Sequence, residues 1–365
     1  MCSNVLSNSA NYGIIPQSDF FDRSIANSDN TDTYYVIEGG DFVYNPRKST
    51  AAPYGPINVY EGTEVGIISP LYLCFKVEWI NKKYLYHYFK SNKWHPYMYI
   101  NGDSGARHDR VSIKDDVFLD MPLFVPSQKE QLKITLLLDA IDKRIETQKK
   151  IIEDLKKLKD AINNSLHNNI NEFQLFSFNE LGNDYSGLTG KSSDDFGSGL
   201  PYISYLNVFR NDIVTDGPFD CVKVSKTEKQ NIVSYGDLLF TLSSETPSEV
   251  GIGAIYLGKT NPLYLNSFCF GVHLSNQENI YGPYLAYFVT SQYFRRTILP
   301  FAQGSTRYNL MKSDFMKHKF CFPNIASQKA IYNTLHTLSE KIQNEEVCLN
   351  KYTEQKQYLL TRLFI

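Results

Sequence analysis

The chain has 365 residues, 42% of them apolar, and a formal net charge of −2, which fits two or three domains with their own cores and excludes a polycation. Its six cysteines form no CxxC pair, which argues against zinc and a disulfide framework and for a reducing, cytoplasmic setting. Neither a membrane-spanning apolar run nor a leader-like stretch is expected from its hydropathy.

Residues 1–126 read as strand and loop, with 26 Tyr and 23 Phe along the whole chain favouring aromatic β-rich cores. Short runs such as Tyr34-Tyr35-Val36-Ile37, Phe42-Val43-Tyr44 and Leu71-Tyr72-Leu73-Cys74-Phe75 are punctuated by Gly, Pro and Asn. A short aromatic helix is predicted over residues 82–91. From 127 to 168 one helical pattern runs almost unbroken, with Ile134, Ile141, Gln148, Leu155 and Ile162 in one heptad row and Leu138, Ile145, Ile152, Lys159 and Leu166 in the other. Such a seam over about five heptads predicts a coiled coil, and about 40 helical residues span roughly 60 Å.

Residues 172–325 form a second strand-rich unit, with an aromatic helix near 283–296, and 326–365 a second seam. Its rows are Ile331, Leu338, Glu345, Tyr352, Leu359 and Leu335, Ile342, Leu349, Lys356, Leu363. The second half thus repeats the first, about 197 residues later. Pro126 and Gln131 align with Pro323 and Gln328, Gly40-Asp41 with Gly236-Asp237, and Arg110 with Arg307. A period that long means a duplicated domain and not a solenoid. The seam defects are duplicated too: Gln148 matches Glu345 and Lys159 matches Lys356. A parallel pair would set lysine against lysine, whereas an antiparallel pair sends each lysine to the other helix's first turns and lets Gln148 meet Glu345. The alternative is that each helix packs on its own globular unit.

The predicted fold is therefore α+β: a globular unit at 1–126, a spacer helix at 127–171, a second globular unit at 172–325 and a second helix at 326–365. Gly13-Ile14-Ile15 aligns with Asp212-Ile213-Val214, so the first unit has no counterpart for about 173–199 and reads as shortened at its front.

Gly187-Leu188-Thr189-Gly190-Lys191-Ser192 ends like a phosphate-binding loop, but Tyr185 stands where the first glycine belongs. There is no [DN]PP[YF] adenine-methylating signature, no HExxH, no GxSxG and no metal-spaced Cys/His cluster. What remains is polar and basic residues among aromatics at repeated places: Asn45, Arg47, Lys48, Arg107 and Arg110 in the first unit, and Lys191, Thr241, Ser243, Arg307, Tyr308 and Asn309 in the second. Arg and Lys neutralise phosphates, and Arg and Asn read base edges by paired hydrogen bonds.

In combination these features resemble the specificity (S) subunit of type I restriction–modification systems, over nearly the whole chain. The repeated Gly-Asp strand, the glycine-and-arginine loop, the Pro-x4-Gln turn and the heptad helix carry the resemblance. The stretch from Phe42-Val43-Tyr44-Asn45-Pro46-Arg47-Lys48-Ser49 through Ser69-Pro70-Leu71-Tyr72 is similar to one common type of target-recognition domain. The resemblance implies a non-catalytic chain reading a bipartite double-stranded DNA target, one half per unit. It implies two modification (methyltransferase) subunits that bring S-adenosylmethionine, and restriction (translocase/endonuclease) subunits that bring ATP chemistry. The shortened front departs from the family pattern; the alternative it raises is an assembly scaffold with an impaired first domain.

Overall fold

The computed structural model describes residues 4–19, 33–103, 109–168, 172–276 and 278–364. It divides into two compact units, Met1–Lys150 with Glu346–Ile365 and Ile151–Glu345. The first holds β1 (Val5–Ser9), β2 (Gly13–Pro16), β3 (Tyr35–Ile37), β4 (Phe42–Tyr44), β5 (Ile57–Val59), β6 (Gly66–Ile68) and β7 (Leu73–Phe75). Its helices are α1 (Lys82–Lys90), α2 (His95–Asn101), α3 (Asp115–Leu119) and the first part of α4 (Gln128–Asn168). Its strands form two small sheets, β2-β1-β6-β3 and β5-β4-β7.

The second unit opens with β8 (Phe173–Ser177), α5 (Phe178–Leu181), β9 (Gly182–Ser186), β10 (Phe196–Ile203) and α6 (Tyr205–Arg210). Then come β11 (Ile213–Val214), β12 (Asp220–Val222), β13 (Leu238–Thr241), β14 (Ser243–Ser244), β15 (Gly253–Tyr256), β16 (Tyr264–Leu265) and β17 (Cys269–Leu274). It continues through α7 (Leu285–Phe288), α8 (Gln292–Ile298), β18 (Ala302–Gln303), β19 (Tyr308–Leu310), α9 (Lys312–Lys317) and β20 (Lys319–Pro323) into α10 (Ile325–Arg362). Its main sheet runs β11-β15-β13-β17-β9.

The duplication is visible bond by bond. Gly40 and Gly236 adopt φ of 92° and 87°, the left-handed region that a β-carbon disfavours. The following aspartates close the turn: Asp41 accepts from the Glu38 amide at 2.9 Å and Asp237 from the Ser234 amide at 2.8 Å. Each glycine amide then donates to the paired strand, Gly40 to Tyr60 and Gly236 to Tyr256, both at 2.7 Å. The Pro-x4-Gln turn is duplicated as well. Gln131 Oε1 accepts from the Asn81 amide and its Nε2 donates to the Pro126 carbonyl, both at 2.9 Å, while Gln328 makes the same two bonds to Tyr281 and Pro323 at 2.8 Å. These buried amides tie the start of each long helix to its aromatic helix. Gln131→Ala, which strands two backbone groups, is expected to cost about 1–3 kcal/mol, read as a lowered urea midpoint at constant slope.

Each core is aromatic. Tyr44 stacks on Phe118 with centroids 4.8 Å apart, and Trp94 donates its indole N–H to the Phe89 carbonyl at 3.1 Å. In the second unit Phe178, Phe240, Phe294, Phe315 and Phe320 form one packed cluster. The helix predicted near 283–296 is two helices, α7 and α8. Ser291 breaks them: its hydroxyl donates to the Phe288 carbonyl at 2.7 Å and accepts from the Phe294 amide at 3.2 Å, ending one helix and capping the next.

Within the first unit the ends of the two long helices run antiparallel. Ile134 and Leu138 share a cluster with Leu359, Leu360, Leu363 and Phe364, while Lys356 reaches Asp142 and Arg144 lies over the Tyr352 ring at 4.8 Å. Within the second unit Ile162 and Leu166 share a cluster with Ile331 and Leu335. The predicted seam positions Ile134, Leu138, Ile141, Ile145, Gln148, Ile152, Leu335, Leu338, Ile342, Glu345 and Leu349 are all buried or half-buried. The helices also pack on the globular cores: Gln131, Thr135 and Leu138 are buried on the first, and Asn163 and His167 on the second. Both readings of the seam therefore hold at once, on different faces of the same helix. Lys159 departs from expectation, pairing with Asp212 at 2.5 Å instead of with the other helix. The reason is composition: the repeat position matching Asp142 is Ser339, which offers no carboxylate.

The sequence alignment of 13–15 with 212–214 is corrected by strand pairing. β2 pairs antiparallel with β1, whereas β11 pairs parallel with β15. The match that holds is Leu6 beside Ile68 with Ile203 beside Leu265, both in parallel ladders. Membrane-spanning length and apolarity are found in no helix among the described residues.

Candidate nucleic-acid interface

The site is built outward from the Gly-Asp strands. In the first unit β4 runs into Asn45-Pro46-Arg47-Lys48, and the chain returns alongside at 109–111. The Val111 amide donates to the Pro46 carbonyl at 2.9 Å and Arg47 pairs with Arg110. In the second unit β13 runs into β14, and β19 returns alongside. The Leu310 amide donates to the Leu242 carbonyl at 2.8 Å, and Ser243 pairs with Asn309. One backbone ladder thus presents Arg47 and Arg110 in one unit, and Ser243 and Asn309 in the other. The structural counterpart of Arg110 is Asn309, two residues beyond the Arg307 that the sequence alignment indicates.

The first tip borders an open cleft of about 270 Å³ lined by Asn8, Asn45, Arg47, Lys48, Leu71 and Arg110. Arg47 is exposed and makes only a loose pair with Asp109 at 3.8 Å. Lys48 lies beside it, its amide bound to the Asp109 carbonyl at 2.8 Å. Arg110 is half-buried, and its Nε has no acceptor among the described residues. Asn45 is committed elsewhere: its side chain donates to the Asn8 carbonyl at 3.0 Å and accepts from the Arg47 amide at 3.0 Å, so it braces the tip. Arg107 lies outside the described residues.

At the second tip Arg307 and Asn309 are exposed and Tyr308 is half-buried. Arg307 donates to the Ser243 hydroxyl at 3.3 Å and lies over the Phe268 ring at 5.1 Å. Ser243 is buried, its carbonyl accepting from Tyr205 Oη at 3.1 Å, so it orients Arg307 from beneath. Two expectations are corrected. Thr241 is fully buried, its hydroxyl accepting from the Ile252 amide at 3.0 Å, and is a strut of the sheet. Lys191 is bound at 2.6 Å to both Glu228 and the Lys223 carbonyl, with its side chain 7% exposed, and is not available to a phosphate.

Two apolar residues carry no functional signal in the sequence. Phe268 and Leu71 occupy equivalent tip positions and are 51% and 60% exposed, apolar surface beside both sets of polar tips. They sit just outside hydrophobic strands and read there as core; only the repeat equivalence singles them out. Arg295 stands in the sequence among the polar and basic residues interleaved with aromatics in the second unit, and the structure makes it a brace. Its guanidinium holds the carbonyls of Gly251, Ser248 and Val250 at 2.7, 2.6 and 2.8 Å, and burial lowers its pKa to about 10, still charged at neutral pH. It clamps the 244–250 loop beside β14, where the Ser244 hydroxyl also reaches Glu249 at 2.6 Å.

Behind the tips, His87 Nε2 lies 2.8 Å from Asp139, where the second unit sets Tyr287 Oη against His336 at 3.3 Å. Burial pushes His87 below the ordinary imidazole range, outweighing the hydrogen bond to Asp139, and burial likewise lowers His95 and His167. Folded, these imidazoles stay neutral; unfolded, they take up protons near pH 6.5. Stability is therefore fully present above about pH 6.5 and falls as the pH drops through it. The urea midpoint is expected to be lower at pH 5.5 than at 7.5, and an unchanged or higher value would contradict this burial.

Each unit is an α+β head packed on ends of both long helices, and the two heads carry different polar residues at equivalent rungs of the same ladder. The profile of the type I restriction modification DNA specificity domain matches residues 162–352, more than half of the chain. The chain belongs to that family and is a specificity subunit of the type I restriction–modification class. A chain solved in work on the structural basis of complex assembly and conformational transition of the type I R-M system shares its fold, with a TM-score of 0.58 at 14% identity over 90% of this chain and 82% of that one. The HsdS subunit from Thermoanaerobacter tengcongensis gives 0.48 at 14% identity over 90% and 81%, and the type I S subunit from M. genitalium 0.49 at 17% over 94% and 87%. No curated protein sequence matches the chain.

Proposed function

We propose that this chain is the non-catalytic reader of a bipartite DNA target, each unit taking one half-site. The observation that carries the reading is the shared ladder, which sets Arg47, Lys48 and Arg110 in one unit where the other has Ser243, Arg307 and Asn309. One scaffold with different tips suits two different half-sites. Basic tips neutralise phosphates, so affinity falls with salt, with a slope of about 0.9 per phosphate contact. Two methyltransferase subunits would bring S-adenosylmethionine and flip the adenine, and restriction subunits would bring ATP-driven chemistry, leaving this chain to hold register.

In this reading the two long helices set the spacer between half-sites. Four residues added to each helix lengthen it by about 6 Å, close to two base pairs. Co-expressed with a modification subunit, the lengthened chain is expected to methylate targets with a changed spacer; an unchanged spacer would refute the ruler. A second reading, a scaffold whose first unit no longer reads DNA, is favoured by one observation: residues 122–126 pair with no strand among the described residues, whereas their counterparts 319–323 pair with β8. Under that reading, Arg110→Ala leaves the methylation pattern untouched.

A further inference from the structure

At the second tip one guanidinium is held from two sides and its backbone from a third. Arg307 donates from Nε to the Ser243 hydroxyl at 3.3 Å, and its Cζ lies 5.1 Å from the centroid of the Phe268 ring. Gly304, at φ 148°, comes so near the Arg307 carbonyl that a β-carbon there would stand 2.0 Å from it. The supports are themselves anchored. Ser243 is buried and pairs with Asn309. The Phe268 carbonyl accepts from the Leu242 amide at 2.8 Å, and its amide donates to Asn266 Oδ1 at 2.9 Å. A free arginine loses rotamer freedom when it binds; here much of that ordering is done before any ligand arrives. Every residue from 172 to 345 except 277 is described, and 277 lies past the end of β17 remote from Phe268.

Which donors stay free follows from these contacts. A guanidinium carries its N–H donors in a planar fork. The Nε donor is spent on Ser243 and one face lies on the ring, which leaves the two terminal nitrogens of an exposed side chain without an acceptor among the described residues. We propose, resting on the DNA-reading function set out above, that Arg307 is a pre-positioned guanine reader: its terminal N–H groups donate to O6 and N7 of one guanine in the second unit's half-site, with Phe268 and Ser243 as positioning residues. That base edge sets two acceptors side by side and matches the fork, whereas adenine sets an amino donor where guanine has O6. A lysine is no substitute, since it offers neither a flat face to the ring nor a paired fork. The first unit lacks the device. Leu71 and Arg47 stand at the places of Phe268 and Ser243, so it offers neither the ring nor the hydroxyl. The guanine so read therefore belongs to one half-site only, the one that Asn309→Ala alters.

The test uses the full chain assembled with a modification subunit. Its methylated motif is mapped, and binding is measured to duplexes of that motif in which each guanine in turn is replaced by 7-deazaguanine, which keeps O6 and base pairing but lacks the N7 acceptor. One replacement in the half-site that Asn309→Ala alters is expected to weaken binding about fivefold or more, and to cost nothing further in Arg307→Ala. Arg307→Ala and Arg307→Lys should both relax the motif at that base pair and at no other. Phe268→Tyr, which keeps the ring, should retain the preference, and Phe268→Leu, the residue of the first unit, should weaken it at the same pair. Arg307 and Phe268 are exposed, so these variants are expected to fold, and the base-analogue measurement on the unaltered chain needs neither. A half-site of A·T pairs alone, no replacement there that is felt, or full preference in Arg307→Lys would overturn the proposal. So would a loss in Arg307→Ala that falls on all sequences alike with a salt slope lower by about 0.9, which marks a phosphate contact. Each of these leaves a bipartite motif standing and bears on Arg307 alone; an assembled complex that reads no motif overturns this proposal together with the reading beneath it.

Discussion

Phe178→Ala is expected to destabilise the second unit by about 3–5 kcal/mol, the largest single-site loss anticipated in this chain. The ring is fully buried, with centroids at 5.4 Å to Phe240 and 5.2 Å to both Phe315 and Phe320. Truncation removes the transfer free energy of the ring and leaves a cavity that flat, interlocked neighbours cannot fill. It also loosens α5, which joins the five-residue ladder of β8 with β20 to the five-residue ladder of β9 with β17. The measurement is urea unfolding followed by tryptophan-independent probes such as far-UV circular dichroism, since both Trp residues lie in the first unit. A loss below about 1 kcal/mol would mean that the segment 173–186 is not integral to that core.

Arg110→Ala and Asn309→Ala are expected to act on different half-sites. Each side chain sits at the same rung of the tip ladder, and a paired contact to a base edge is worth about 1–3 kcal/mol of discrimination, or roughly 5- to 150-fold. Arg110→Ala should relax or abolish recognition at one half-site and leave the other intact; Asn309→Ala should do the converse. Arg47→Ala, at an exposed phosphate-type position, should weaken binding to all sequences alike and reduce the salt slope by about 0.9. Asn45→Ala and Thr241→Ala should lower stability without changing base preference, because both side chains are spent on backbone groups. Methylation mapping of each variant, co-expressed with a modification subunit, distinguishes the four outcomes.

Much of the architecture was legible because it is written in long periodic signals. The heptad rows mark α4 to within a residue at its start, and the antiparallel sense followed from the cost of setting Lys159 against Lys356. The paired Gly-Asp and Pro-x4-Gln elements were legible because each does the same backbone work twice. The site was harder. Strand register at the tips is set by amide-to-carbonyl bonds at Val111 and Leu310, which leave no mark on side-chain identity, so Arg110 was matched to Arg307 instead of Asn309. Polar type does not reveal burial: Lys191 looks like a phosphate ligand and is locked to Glu228, while Thr241 looks like a tip residue and is a strut. Leu71 and Phe268 mislead in the opposite direction, reading as core and standing at the surface.

The central claim is that two units read two half-sites, and genome-wide mapping of adenine methylation tests it most directly, with the unaltered chain co-expressed with a modification subunit. The account predicts one interrupted, asymmetric motif, each half altered separately by Arg110→Ala and Asn309→Ala. A single contiguous or half motif, or no methylation from an assembled complex, would contradict it.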